Sequence, residues 1–157
     1  MARGRVYTTF MDAVAVSAAQ DLFTLQAASG IPIEIHAAAL SQKTLAAWEA
    51  KEIQFKYVPA TVTITGGTSI TPTAMLPGDV AASVTAKINN TTLATSSGTI
   101  RNILTDDFNF LNGFYWSPAG DDDRIIIKGG DAFCLRLGTA PSASMTVSGW
   151  VSFAELV

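Results

Sequence analysis

The stretch RIIIKGGDAFCLRLGTAPSASMTVSGWVSF, residues 124–153, decides the fold class. In its middle run Phe133, Leu135 and Leu137 share one face and Cys134 and Arg136 the other. In its last run Met145, Val147, Val151 and Phe153 oppose Thr146, Ser148, Trp150 and Ser152. A period of two marks half-buried strands, because successive residues of an extended chain point to opposite faces of a sheet. Gly129-Gly130-Asp131 and residues 138–142 supply turn chemistry between the runs, glycine through positive φ and aspartate by folding back on its own backbone. The pattern predicts an antiparallel meander whose core holds Phe133, Leu135, Leu137, Met145, Val147, Val151 and Phe153.

The same alternation recurs along the chain. Val6, Thr8 and Phe10 oppose Tyr7, Thr9 and Met11; Phe23, Leu25 and Ala27 share a side; Ile33 and Ile35 alternate with Glu34 and His36. The β-branched Val14 and Val16 favour extended structure between the first two runs. Further strands are predicted at residues 53–57, at TVTIT with Val62 and Ile64 inward, at Val84, Ala86 and Ile88, and at Phe114-Tyr115-Trp116, while residues 100–107 read as a short mixed run. Asn89 and Asn90 read as turn residues. SQKTLAAWEAKE alone has helical character, with Leu45 and Trp48 three apart on one face and Thr44 as a cap. The expected architecture is all-β: a single antiparallel β-sandwich domain over residues 1–157, jelly-roll-like, with one short helical excursion near residues 43–51.

At 157 residues the chain is long enough to bury a core without staples. A net charge of -3, with 15% of residues charged, lacks the basic footprint of a phosphate-binding surface, so no nucleic-acid partner is expected. No apolar run approaches the length of a membrane helix, and the N-terminal stretch has no continuous apolar core of a signal peptide. One cysteine, Cys134, leaves no internal disulfide and no multi-cysteine zinc site; its place in a strand suits a packed thiol.

Reactive constellations are sparse. Asp121-Asp122-Asp123 could wrap a hard cation, but it lacks the spaced oxygen ligands of a calcium loop; a solvated hairpin tip with Arg124 as local counter-charge is the expected reading, and no metal is predicted. His36 is the sole histidine, so a triad or a multi-histidine metal site has no partners for it. Asp106, Asp107, Glu34 and Glu52 are the carboxylates a glycoside hydrolase would pair across a cleft. No catalytic residue, no cofactor and no enzyme activity are predicted.

Three stretches in order, AVAVSAAQDLFTLQAASGIPIEIHAAALSQ (13–42), GGTSITPTAMLPGDVAAS (66–83) and GGDAFCLRLGTAPSASMTVSGWVSF (129–153), resemble a group of tailed-bacteriophage capsid decoration, or cement, proteins of β-sandwich or jelly-roll type. The resemblance covers nearly the whole chain and rests on structural motifs: a Gln-Asp-Leu-Phe strand, a Pro-Gly-Asp turn and a Gly-Gly-Asp turn. It implies a structural protein of the virion, made in the host cytoplasm and seated on the capsid surface. Its implied partners are copies of itself, as a homotrimer, and the major capsid protein. It carries over no catalytic residues.

Large side chains on faces that alternate outward are the candidates for such contacts, since an outward aromatic among small polar neighbours is a favoured interface anchor. Trp48, Tyr115, Trp150, Arg136 and His36 form the candidate interface set. The alternative from another class is a receptor- or carbohydrate-binding module of a phage head or tail fibre, using the same exposed aromatics.

Overall fold

A computed structural model describes residues 4–44, 49–92 and 99–157. The described residues build two antiparallel sheets packed face to face. The first contains β1 (Arg5–Val16), β3 (Ile33–Gln42), β6 (Thr73–Ala74), β9 (Phe114–Trp116), β10 (Ile125–Ile127) and β12 (Met145–Glu155). Its order is β10-β3-β12-β1-β6, with β9 also on β3, beyond the end of β10. The second contains β2 (Gln20–Gln26), β4 (Ala50–Val58), β5 (Thr68–Ile70), β7 (Thr85–Asn90), β8 (Arg101–Asn109) and β11 (Ala132–Leu137), in the order β5-β7-β2-β11-β4-β8.

The wiring is jelly-roll-like. The connections β1–β2, β3–β4, β8–β9, β10–β11 and β11–β12 each carry the chain from one sheet to the other. Among the described strands none pairs with its immediate neighbour in sequence. This corrects the meander expected over residues 124–153: β10 pairs with β3, β11 lies between β2 and β4, and β12 lies between β1 and β3. Gly129-Gly130-Asp131 is therefore a corner between layers. The Asp131 carbonyl accepts from Ala27 N at 2.9 Å, and its carboxylate accepts from Ala60 N at 2.7 Å and from the Tyr57 hydroxyl. A side chain at Gly129 would meet Gly30 N at 2.6 Å, so only glycine lets the two backbones approach this closely.

Phe133, Leu135, Leu137, Met145, Val147, Val151 and Phe153 are all buried, as the alternation predicts. Phe55 is the hub of the aromatic packing, edge-on to Phe133 at 5.2 Å, Trp116 at 5.1 Å and Phe114 at 6.0 Å. Tyr7 and Phe153 stack at 5.6 Å further along the layer. Buried Glu155 accepts from Ser83 N at 2.6 Å, Ser83 Oγ at 2.7 Å and Val84 N at 3.2 Å, which fixes the entry to β7.

Several local expectations change. β1 continues through Val14 and Val16, but a bulge between Met11 and Val14 shifts the inward phase by one residue, with Ala13 at φ 51. β3 continues through the alanine stretch to Gln42. Val62 and Ile64 belong to a non-strand crossing, and Asn89 and Asn90 close β7. Of the helical excursion, residues 45–48 lie outside the described residues, while Ala50 and Lys51 already belong to β4 and Thr44 Oγ1 accepts from Thr146 N at 3.0 Å.

β12 can sit between β1 and β3 only because Gly149 faces Met11 on one side and Leu40 on the other. A Cβ there would lie 2.5 Å from the Ala39 carbonyl oxygen and 2.7 Å from Leu40 Cδ2. Gly149→Ala should lower the unfolding free energy by about 1–3 kcal/mol, the usual cost of overpacking. Urea denaturation measures this, and an unchanged midpoint would show that β3 and β12 can spread at no cost.

Candidate functional site

The outward faces of the two sheets are treated differently. On the second sheet, Cys134, Thr24, Asp21, Arg136 and Val58 alternate outward yet are buried. The segment 59–67 leaves β4 and crosses this face towards β5, laying Val62 and Ile64 against Val58, Ala132 and Cys134. On the same face Arg136 Nε donates to Asp21 Oδ1 at 2.6 Å and Arg136 Nη2 to Asp21 Oδ2 at 3.2 Å. Arg136, expected in the interface set, is instead buried, with its guanidinium engaged by Asp21. Burial pushes the Cys134 thiol up to about 12, and its sulfur lies 3.6 Å from Thr24 Oγ1.

No described segment crosses the central outward face of the first sheet. Cross-strand register places Phe10 beside Trp150, Trp150 beside Ala39 and Ala39 beside Tyr115, so one row runs across β1, β12, β3 and β9. Phe10 is 60% exposed, Tyr115 66% and Trp150 36%. Trp150 and Tyr115 meet edge to face at 6.4 Å with their planes at 61°. The rows on either side are small: Thr8, Ser152 and Ala37 towards one end, Ser148 and Ser41 towards the other. A monomer seldom presents three rings in line on a flat face, which makes the row the candidate site.

Charged groups flank the row on both sides, further along the strands. Asp12 accepts from Ser148 Oγ at 2.9 Å and from Lys43 Nζ at 3.4 Å. Those two contacts hold its carboxyl below the usual range, the serine hydrogen bond contributing most. On the other side Glu34 Oε1 accepts from Arg124 Nη1 at 2.8 Å and meets His36 Nε2 at 3.0 Å, while Arg124 Nη2 reaches Asp121 at 2.5 Å. His36 is half-buried in this cluster. Arg124 takes the counter-charge role expected of it, and Asp121–Asp123 form a single 3-10 turn. Glu52 and Asp107 are cross-strand neighbours on β4 and β8, whereas Glu34 lies on the other sheet. Among the described residues no group of three or more His, Cys, Asp and Glu side chains is placed to hold a metal ion.

The structure therefore brings Tyr115 and Trp150 together, sets His36 to one side of their row further along β3 and buries Arg136 on the other sheet; Trp48 lies outside the described residues. Phe10 is the member that sequence reasoning missed. Its signal was present, a phenylalanine in the same phase as Val6 and Thr8 and opposite the buried Tyr7, Thr9 and Met11. A second exposed apolar group lies at one end of the sandwich, where Met75 and Leu76 are 60% and 64% exposed and Val80 is 55% exposed. Two hydrogen bonds fix that turn to β1: Met75 N donates to the Val6 carbonyl at 2.9 Å, and the Tyr7 hydroxyl donates to the Val80 carbonyl at 3.0 Å.

Compared with models of protein families, with curated proteins and with solved structures, the chain gives no match.

Arg136→Met should cost about 3–5 kcal/mol because it leaves a buried carboxylate without its partner, and Asp21→Leu on the same chain should recover a large part. Denaturant titration of the two variants distinguishes this from simple loss of packing, in which the second change would add to the first. Cys134 should resist a thiol reagent at pH 8 in the folded chain and react fully in denaturant. The raised thiol value also sets a sign: the unfolded chain loses this proton near pH 9 and the folded chain only near 12, so stability should fall as pH rises through that window.

Proposed function

We propose that the chain is a virion structural protein, a decoration or cement protein that stabilises a tailed-phage head by binding the major capsid protein and copies of itself. The aromatic row carries this reading. Phe10, Trp150 and Tyr115 are rigid, amphipathic anchors of the kind that dominate association energies, and they stand on strands rather than on loops. A clamp needs a second surface, and the turn bearing Met75, Leu76 and Val80 supplies one that is apolar and anchored.

The resemblance over residues 13–42, 66–83 and 129–153 supplies the virion and capsid part of the proposal. Low charge also suits a protein whose work is burying surface against a lattice. The carbohydrate-binding alternative fares less well on ring geometry. A sugar stacks on ring faces that lie in one plane, and Trp150 and Tyr115 are tilted by 61°. The residues between them are alanine and serine, without the carboxylates and amides that hold sugar hydroxyls.

The chain should pellet with expanded capsids of the phage that encodes it and stay in the supernatant without them. Leu76→Glu should weaken that co-sedimentation by about tenfold or more, the effect of losing one anchor. A folded chain that ignores expanded capsids overturns the proposal. A glycan array positive for this chain, lost with Trp150→Ala, would favour the sugar-binding alternative.

A further inference from the structure

The row of rings has a matching hollow on its own face. Next to Trp150 lies a shallow depression of about 430 Å3, lined by Ala39, Ser41, Ser148, Gly149 and Trp150 with Met11 and Leu40 at its floor. It exists because the cross-strand positions beside the ridge, Ser41 and Ser148, carry small side chains. A ridge and a hollow side by side on one face are both filled at once when two such faces turn towards each other. A two-fold axis in the contact plane, parallel to the row, sets each ridge into the other's hollow.

Charge agrees with shape. The chain carries a net charge of -3, yet the ridge and its two flanking rows hold one charged side chain, Asp12, and Lys43 neutralises it at 3.4 Å. Two copies of this face meet without like-charge repulsion, which a face bearing the chain's excess acid would suffer. The rim on the other side, Glu34 with Arg124 and His36, is also internally paired.

We infer that the occupant of the aromatic face is a second copy of this chain, docked isologously with Phe10, Trp150 and Tyr115 of each copy against Ser41 and Ser148 of the other. The assembly is then a pair, in place of the trimer that the resemblance implies, and the turn at Met75, Leu76 and Val80 remains free in both copies for the lattice. This deepens the reading of the row as an association surface and rests on it.

Sedimentation equilibrium across a dilution series tests the inference. The chain should sediment at twice 16.5 kDa. Ser41→Trp, which fills the hollow and leaves the ridge intact, and Phe10→Glu, which puts charge on the ridge, should each return it to 16.5 kDa. Both positions are exposed, and an unchanged thermal midpoint certifies the fold; Tyr115→Glu replaces either variant that fails to fold. A wild-type monomer at every concentration, a wild-type trimer, or a Ser41→Trp chain that still pairs overturns the inference. The capsid assay separates the two proposals. A monomer that pellets with capsids removes the pairing and keeps the function, whereas a dimer that stays in the supernatant does the reverse.

Discussion

The constraint on which this structure depends is that every backbone ladder among the described strands is closed by a segment distant in sequence. β12 supplies the clearest case. Its backbone groups are satisfied by β1 at the other end of the chain and by β3, so the first sheet has no centre until the two ends of the chain have met. Hairpins, which would let a sheet grow locally, are not used. Closure entropy must therefore be spent before the core rewards it, and the fold stands or falls as a unit. The close passage at Gly149 and the corner at Gly129 follow from the same requirement, because three strands and two layers must approach where a side chain would keep them apart.

Once the sheets are closed, their outer faces become separate problems. The chain solves one of them itself. The crossing at residues 59–67 covers Val58, Ala132 and Cys134, and on the same face Asp21 and Arg136 sit out of water as a bidentate pair, with the Cys134 thiol held protonated. An ion pair so placed is worth little in net stability, but losing either partner would leave the other charge buried and unpaired. Among the described residues the first sheet receives no such cover over its centre, and there the outward residues are three rings among serines, alanines and a threonine.

Period two made much of the core legible in the sequence: it placed Phe133, Leu135, Leu137, Met145, Val147, Val151 and Phe153 inward, and all seven are buried. It could not say which strand lies beside which. Gly129-Gly130-Asp131 has the chemistry of a chain reversal, and a hairpin and an interlayer corner need the same chemistry, so the meander was a reasonable and wrong inference. Alternation also separates inward from outward without saying what lies over the outward side. Arg136 and Trp150 occupy equivalent phases of neighbouring runs; one ends buried against Asp21 and the other in the open, a difference set by tertiary path alone. Phe10 was obscured in the same way, since only the register of β1 on β12 shows that it extends the row of Trp150 and Tyr115.

The sheet edges bear on where such a protein can associate. Strand addition is the usual liability of a β-sandwich, and its edges here are poor templates. β5, β6, β9 and β10 are two or three residues long. β8 is nine residues long, but it carries a bulge between its pairings with Phe55 and Lys56. It also places Asp106 opposite inward-facing Ile53, in the phase of Leu104 and Phe108, so an aspartate points towards the core side of the edge. A bulge and an inward charge both disfavour a further strand. With its edges blunted and one face covered from within, the sandwich is left with the ringed face and the apolar turn at residues 75–80 as the surfaces that gain most by leaving water.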